Sequence, residues 1–308
     1  MRPRSGIPTR PSPGSGSSAA GDPANATATR ASPRSQPDAA RGGDAFIELD
    51  RVSFGYGDSD ILSNVSMRFA PGKVTAILGG SGCGKTTLLR LIAGVHAPRS
   101  GELIIEGQRF DTNDRAQRYA LRRRLGVLLQ FGALFTDLTV YENVAFALRE
   151  NTDLPESAIR DIVLMKLHAV GLRGAAELRI DQVSGGMARR IALARAVVMD
   201  PELVLYDEPF SGLDPISMGV IANLIRNLNR ATGATTLMVT HDVRESFAIC
   251  DYAYLMAAGG RVIARGTPVE LEASTDPEVR QFIRGEPDGP VKFHYPAAPI
   301  GEQLDVQR

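Results

Sequence analysis

Residues 79–86 read Gly79-Gly80-Ser81-Gly82-Cys83-Gly84-Lys85-Thr86, which satisfies the phosphate-binding pattern G-x-x-x-x-G-K-[ST] at every fixed position. Glycines at this spacing let successive backbone N–H groups curl around phosphate oxygens, and a following helix adds its positive end. Lys85 has the reach for β and γ phosphates, and the Thr86 hydroxyl is a hard oxygen ligand suited to Mg²⁺. The flanks supply the context this chemistry needs. Val74–Leu78 is an apolar run that reads as a buried strand, and Thr87–Ala93 reads as a helix closed by Gly94. A glycine turn that binds nothing would not need both. The stretch implies a nucleoside triphosphate carried with Mg²⁺, held by residues 79 to 87.

A second group lies at the end of another apolar run, Leu203-Val204-Leu205-Tyr206-Asp207-Glu208. Asp207, at a strand terminus, is placed to enter a Mg²⁺ shell. Glu208 follows it and points the other way, where it can polarise an attacking water. A general base of this type is worth about 10²–10⁴ in rate. Such an acid pair alone would read as solvated residues at a sheet edge, and the phosphate motif upstream changes that reading.

Between them lies Val183-Ser184-Gly185-Gly186-Met187-Ala188-Arg189-Arg190, opening a helix that runs on through Ala196. Ser184 has the form of an N-cap, and Gly185 and Gly186 leave bare amides that can face a γ-phosphate. Gln130 ends the apolar run 127–129, Ser211-Gly212-Leu213-Asp214 follows the acid pair, and His241 follows the apolar run 236–240. Tyr56 and Phe54 compete as an aromatic that precedes the phosphate motif. Taken in this order, the marks resemble the ATPase domain of the ABC-transporter family.

That resemblance implies an α/β fold: a P-loop NTPase of the ABC type, with a mixed sheet core, flanking helices, an antiparallel β subdomain and a helical subdomain. It implies that Gln130 touches the Mg²⁺ and the water, that His241 is the switch histidine, and that Tyr56 stacks on adenine. It also implies head-to-tail pairing, in which Ser184, Gly185, Gly186 and Asp214 act in trans on the partner's ATP. One phosphate motif, one signature and no internal repeat make a homodimer the expectation.

Composition bounds the rest. Lys plus Arg equals Asp plus Glu at 35 each in 308 residues, so no bulk charge points to nucleic acid. No apolar run approaches the ~20 residues that span a bilayer, so a transport pathway would belong to a partner. Two cysteines, Cys83 and Cys250, suit a reducing compartment. Cys83, at a helix N-terminus beside Lys85, is expected to favour its thiolate and to make nucleotide binding sensitive to alkylation. Residues 1–43 hold seven prolines, six arginines and two acids with no apolar periodicity, and are expected to be disordered. They lack the apolar stretch of a secretory signal.

Residues 44–286 form the expected ATPase domain. Phe46–Leu49 and Val52–Phe54 read as two edge strands and Leu103–Ile105 as another. Residues from about 131 to 190 read as a helical subdomain. In it, Thr139-Val140-Tyr141-Glu142 has the capping-box form for a helix through Leu148, and a second helix runs from about Glu156 to Val170, ended by Gly171. The triple Arg122-Arg123-Arg124 reads as a solvated helix face.

A narrower resemblance bears on what is moved. Residues 132–140, Gly-Ala-Leu-Phe-Thr-Asp-Leu-Thr-Val, and the C-terminal Asp288–Pro296 are similar to the Mla-type phospholipid transport ATPases. Gly80 stands where that group often has Pro, Met187 replaces the usual signature Gln, and the 211–214 segment keeps the generic ABC form. This likeness implies a complex at the cytoplasmic face of the inner membrane. Its members would be two copies of this chain, an MlaE-like membrane permease, an MCE-domain lipid-binding protein and, in many cases, a STAS-domain protein. Residues 287–308 would be an extension that docks on a neighbouring subunit. The competing reading is the ATPase of another importer, for amino acids, sulfonates or metals. A soluble ABC protein of DNA repair or translation would carry coiled-coil insertions or a second ATPase domain, and neither is present.

Overall fold

A computed structural model describes residues 45–130 and 132–291; the tail expected at 1–43 and residues 292–308 lie outside the described residues. The chain begins with β1 (Ile47–Tyr56), β2 (Ser59–Phe69) and β3 (Val74–Gly79), then α1 (Lys85–Ile92), β4 (Ser100–Ile105), β5 (Gln108–Arg109), α2 (Arg115–Arg123) and β6 (Leu125–Leu128). Helices α3 (Val140–Asn151), α4 (Glu156–Ala169) and α5 (Gly185–Ala196) follow. Then come β7 (Leu203–Asp207), α6 (Pro215–Thr232), β8 (Thr235–Thr240), α7 (Val243–Phe247), β9 (Tyr252–Ala257), β10 (Arg261–Gly266), α8 (Pro268–Glu272) and α9 (Pro277–Arg284).

Two sheets result. The first is antiparallel, in the order β2-β1-β4-β5. The second runs β10-β9-β3-β8-β7-β6, parallel from β9 to β6 with β10 antiparallel on its edge. Its central strands β3, β7 and β8 are buried along their whole length and mostly apolar, because both faces are covered. Val74, Ala76 and Leu78 of β3, Val204 and Tyr206 of β7, and Met238 of β8 face one core, shared with α3–α6. Ile77, Leu203, Leu205, Leu237 and Val239 face the other, shared with α1 and the antiparallel sheet. Successive side chains point to opposite faces, so one run feeds two cores.

The sheet order matters for function. β3, β8 and β7 are neighbours, with Leu78 opposite Thr240 and Asp207 opposite Val239. The three carboxyl ends are therefore level, and ligands of open α/β sheets bind at such ends.

The capping box is formed. Thr139 Oγ1 accepts from Glu142 N at 3.1 Å, and Glu142 Oε2 accepts from Thr139 N at 2.8 Å; such a cap is worth about 1 kcal/mol. The helix it starts runs to Asn151, three residues past the expected end. The two expected edge strands are one: β1 is continuous, with its register shifted between Asp50 and Ser53, where Arg51 sits at φ 50°. Its partner β2 is not among the strands expected from the sequence, although Val65, Met67 and Phe69 are all buried at period two. The arginine triple is a solvated face only in part: Arg122 and Arg123 are exposed, while Arg124 is half-buried. Arg124 binds Glu106 at 2.7 and 2.9 Å and also Glu202, and the exposed Arg122 donates to Gly94 O, so two of the three arginines tie α2 and β6 to their neighbours. Elements that pack at long range took charges that their local pattern assigned to solvent.

Candidate active site

The loop after β3 turns into α1 at Gly84, whose φ of 98° only glycine adopts at ease. A Cβ there would lie 2.7 Å from Leu62 Cδ2. Gly79 is excluded from substitution by crowding, since its Cβ would sit 2.6 Å from both Cys83 Sγ and Met256 O. No side chain caps α1, so its first-turn amides stay free for an anion. Gly80, Ser81 and Gly82 form the exposed rim of the loop, while Thr87 is buried behind it. Lys85 is only 7% exposed. Its ammonium donates to Gly79 O at 2.7 Å and Gly80 O at 3.0 Å and lies 3.5 Å from Glu208 Oε1.

From β7, Asp207 and Glu208 take different partners. The Thr86 hydroxyl donates to Asp207 Oδ1 at 3.0 Å. Burial pushes the Asp207 carboxyl up, the Thr86 hydrogen bond works against it, and the Glu208 charge adds to it. Glu208 sits at φ 48°, a conformation costly for a residue with a Cβ. Its amide donates to Val239 O at 2.9 Å, which holds it against β8. Its Oε2 is 2.9 Å from His241 Nδ1. Glu208, His241 and the phosphate-loop Lys85 are thus joined across three strand ends. Thr86 and Asp207 offer an all-oxygen pair at the phosphate loop, the donor set that suits Mg²⁺, and a cation there would offset the burial of Asp207. Ligand atoms of Glu208, His241 and Asp242 also lie within 4.8 Å of one another, but Asp242 is taken up by Thr240, whose hydroxyl donates to it.

Gln130 is half-buried just past β6, and its carbonyl is held by Arg189. Arg189 was not singled out as functional from sequence. It is 8% exposed and donates to Leu129 O, Gln130 O and Ser211 O. One guanidinium of α5 therefore ties the signature helix to the segments on both sides of the acid pair. No acid answers its charge among the described residues, and burial pulls its ionisation down. Only a long-range pattern reveals it.

Ser184 caps α5 by accepting from Met187 N at 3.2 Å, and Ser184 and Gly185 are exposed. No hydrogen bond joins them to the phosphate loop among the described residues. Asp214 is exposed too, but its carboxylate caps α6, accepting from Ile216 N and Ser217 N at 3.0 Å each and from the Ser217 hydroxyl. Of the competing aromatics, Phe54 is buried and Tyr56 is 49% exposed, so Tyr56 is the ring with an open face.

Cys83 departs from the sequence expectation. It is 3% exposed in the core beneath Gly79, and burial pushes its thiol up even though Lys85 pulls the other way. Packing, not the helix end, sets this cysteine. Iodoacetamide at pH 8 is expected to label Cys83 at least ~10²-fold more slowly in the folded chain than in urea, with or without ATP. Fast labelling that ATP suppresses would restore the reactive-thiol reading.

The family profile described as "ABC transporter" matches residues 62–211. The chain is 52% identical over 259 residues to the Haemophilus influenzae "Intermembrane phospholipid transport system ATP-binding protein MlaF", covering 84% of this chain and 98% of that one. The chain belongs to the ABC transporter family. Its fold is that of solved ABC ATPases. The cbiO1 subunit of a Clostridium perfringens ABC transporter complex matches 75% of the chain and 92% of its own length, at 32% identity and TM-score 0.70. The ATP-binding cassette MJ0796, solved as a dimer with ADP and Pi, matches 72% and 98% at 28% identity and TM-score 0.65. As a member of this family, the chain is an ATP-binding, ATP-hydrolysing transporter subunit. Among the described residues no helix is long and apolar enough to cross a membrane.

Proposed function

We propose that this ABC ATPase drives phospholipid transport between membranes by hydrolysing ATP at the carboxyl ends of β3, β7 and β8. The observation that carries the chemistry is the joint placement of Lys85, Thr86–Asp207 and Glu208–His241 at three adjacent strand ends. The lipid substrate rests on the 52% identity to the H. influenzae MlaF protein.

Tyr56 stacks on the adenine, and the amides of residues 79–87 with Lys85 hold the phosphates. Thr86 and Asp207, with the Gln130 side chain, would hold Mg²⁺, which neutralises phosphate charge when bound. Glu208 accepts the proton of the attacking water, and His241 orients the Glu208 carboxylate through its Nδ1 contact. Their hydrogen bond leaves Oε1 of Glu208 free for that water once Lys85 turns to the nucleotide. A second copy of the chain supplies Ser184, Gly185, Gly186 and Asp214 to each site; the exposure of Ser184, Gly185 and Asp214 favours this reading. The homodimer sits on the cytoplasmic face of the inner membrane under an MlaE-like permease, together with an MCE-domain lipid-binding protein and a STAS-domain protein.

The test is capture of a tagged Glu208→Gln chain from native membranes in ATP, read for both proteins and lipids by mass spectrometry. Recovery of an MCE-domain protein with bound phospholipid is expected. A solute-binding protein with an ordinary importer permease would keep the ATPase assignment and overturn the lipid.

A further inference from the structure

The segment that follows α1 returns to the β1–β2 turn and pins it at several points. Arg99 N donates to Ser53 O at 2.8 Å, and the Arg99 guanidinium reaches Asp60 Oδ1 at 2.6 Å as well as the carbonyls of Gly55 and Gly57. Three residues earlier, His96 lies flat on Phe54, with ring centres 5.1 Å apart and planes inclined by 21°. Its Nε2 is 3.1 Å from the Tyr56 hydroxyl. Tyr56 stands perpendicular to both rings, at 86° and at 5.1 Å from Phe54 and 5.5 Å from His96.

Tyr56 remains 49% exposed beside these two rings, so part of its ring surface stays open to a base. A tyrosine at the tip of a two-stranded turn would otherwise sample several rotamers and would lose that freedom when a base stacks on it. Here the freedom is removed beforehand by a hydrogen bond at one end of the ring and perpendicular packing against Phe54 and His96, and preorganisation of this kind raises affinity. The restraint also has a fixed relation to the phosphates. Helix α1 starts at the phosphate loop and, at 1.5 Å per residue, is about 12 Å long before the chain reaches His96.

We propose that His96 is a positioning residue for the nucleobase: it fixes Tyr56 as the stacking platform and sets how strongly the site weighs base against phosphate. The proposal rests on the reading of Tyr56 as the base-stacking ring. Nothing in the motif order marks His96, because the contact joins β1 to the end of α1 across 40 residues.

The test uses the assembled transporter and measures ATP hydrolysis alongside inhibition by inorganic tripolyphosphate, which has no base. His96→Ala is expected to raise KM for ATP about five-fold, the size of one hydrogen bond and a ring contact, with kcat within about two-fold. The tripolyphosphate inhibition constant should stay unchanged. Tyr56→Ala should do the same, the double variant should add little more, and His96→Gln, which can still bond the phenol, should recover part of the loss. An unchanged KM in His96→Ala beside a raised KM in Tyr56→Ala would overturn the proposal and keep the platform. Unchanged KM in both would remove the platform itself. A parallel rise in the tripolyphosphate constant would make His96 a support of the phosphate loop and overturn the base-specific role.

Discussion

Glu208→Gln is expected to bind ATP within about two-fold of the native chain while hydrolysing it at least ~10²-fold more slowly, a barrier increase of about 2.7 kcal/mol or more. Glutamine has the size of glutamate, so it occupies the same φ 48° position and can keep the 2.9 Å contact with His241 through its amide. What it cannot do is accept a proton from water. It also removes the negative charge 3.5 Å from the Lys85 ammonium, so the lysine loses a competitor of the phosphates. Both consequences favour a chain that holds ATP without spending it, and the variant should accumulate as an ATP-bound dimer. Phosphate release and nucleotide occupancy of the purified complex provide the check. Turnover near the native rate would move the base elsewhere, first to His241.

Much of this site is written locally, and the parts that are not have a common physical reason. The strands β3, β7 and β8 are readable because a run buried on both faces is mostly apolar and carries no charge before its end, which is marked by Gly79, Asp207 and, just past β8, His241. The phosphate loop is readable because its backbone geometry demands glycine at set positions. The capping box of α3 is readable because both partners lie within four residues. Pairing order is a different matter: the neighbours of β3 come from residues more than 150 positions away, and no local pattern encodes them. Arg189, Arg124 and His96 fall in the same class. Each is an ordinary polar residue on its own element and takes its meaning from carbonyls, acids or rings brought in by the fold. Cys83 shows the opposite error. Its local setting points to a thiolate, yet the core beneath Gly79 removes it from water, and desolvation outweighs the lysine two residues on.

Lys85→Ala separates binding from chemistry in the other direction. ATP affinity is expected to fall by at least ~10²-fold, since a charge-assisted bond to phosphate contributes about 1.5–3 kcal/mol and Lys85 can make more than one. The loss is not confined to the nucleotide. The Lys85 ammonium also holds Gly79 O and Gly80 O, so its removal takes a partner from two carbonyls at the loop, leaves Gly80 O only the 3.4 Å bond from Cys83 N, and leaves a buried Glu208 facing His241 without the nearby cation. The loop should loosen where the first amides of α1 meet phosphate, which lowers affinity further. Lys85→Arg keeps the charge but brings a planar fork with no room between those two carbonyls, so most of the defect should persist. Equilibrium binding of a fluorescent ATP analogue, with thermal unfolding to confirm a folded chain, is the measurement. Native affinity in Lys85→Ala would mean that the phosphates are held by backbone amides alone. In that case the ammonium seen against Glu208 would belong to the resting arrangement of the site, and the slow step in Glu208→Gln would need to be sought in release of Lys85 instead of in proton transfer.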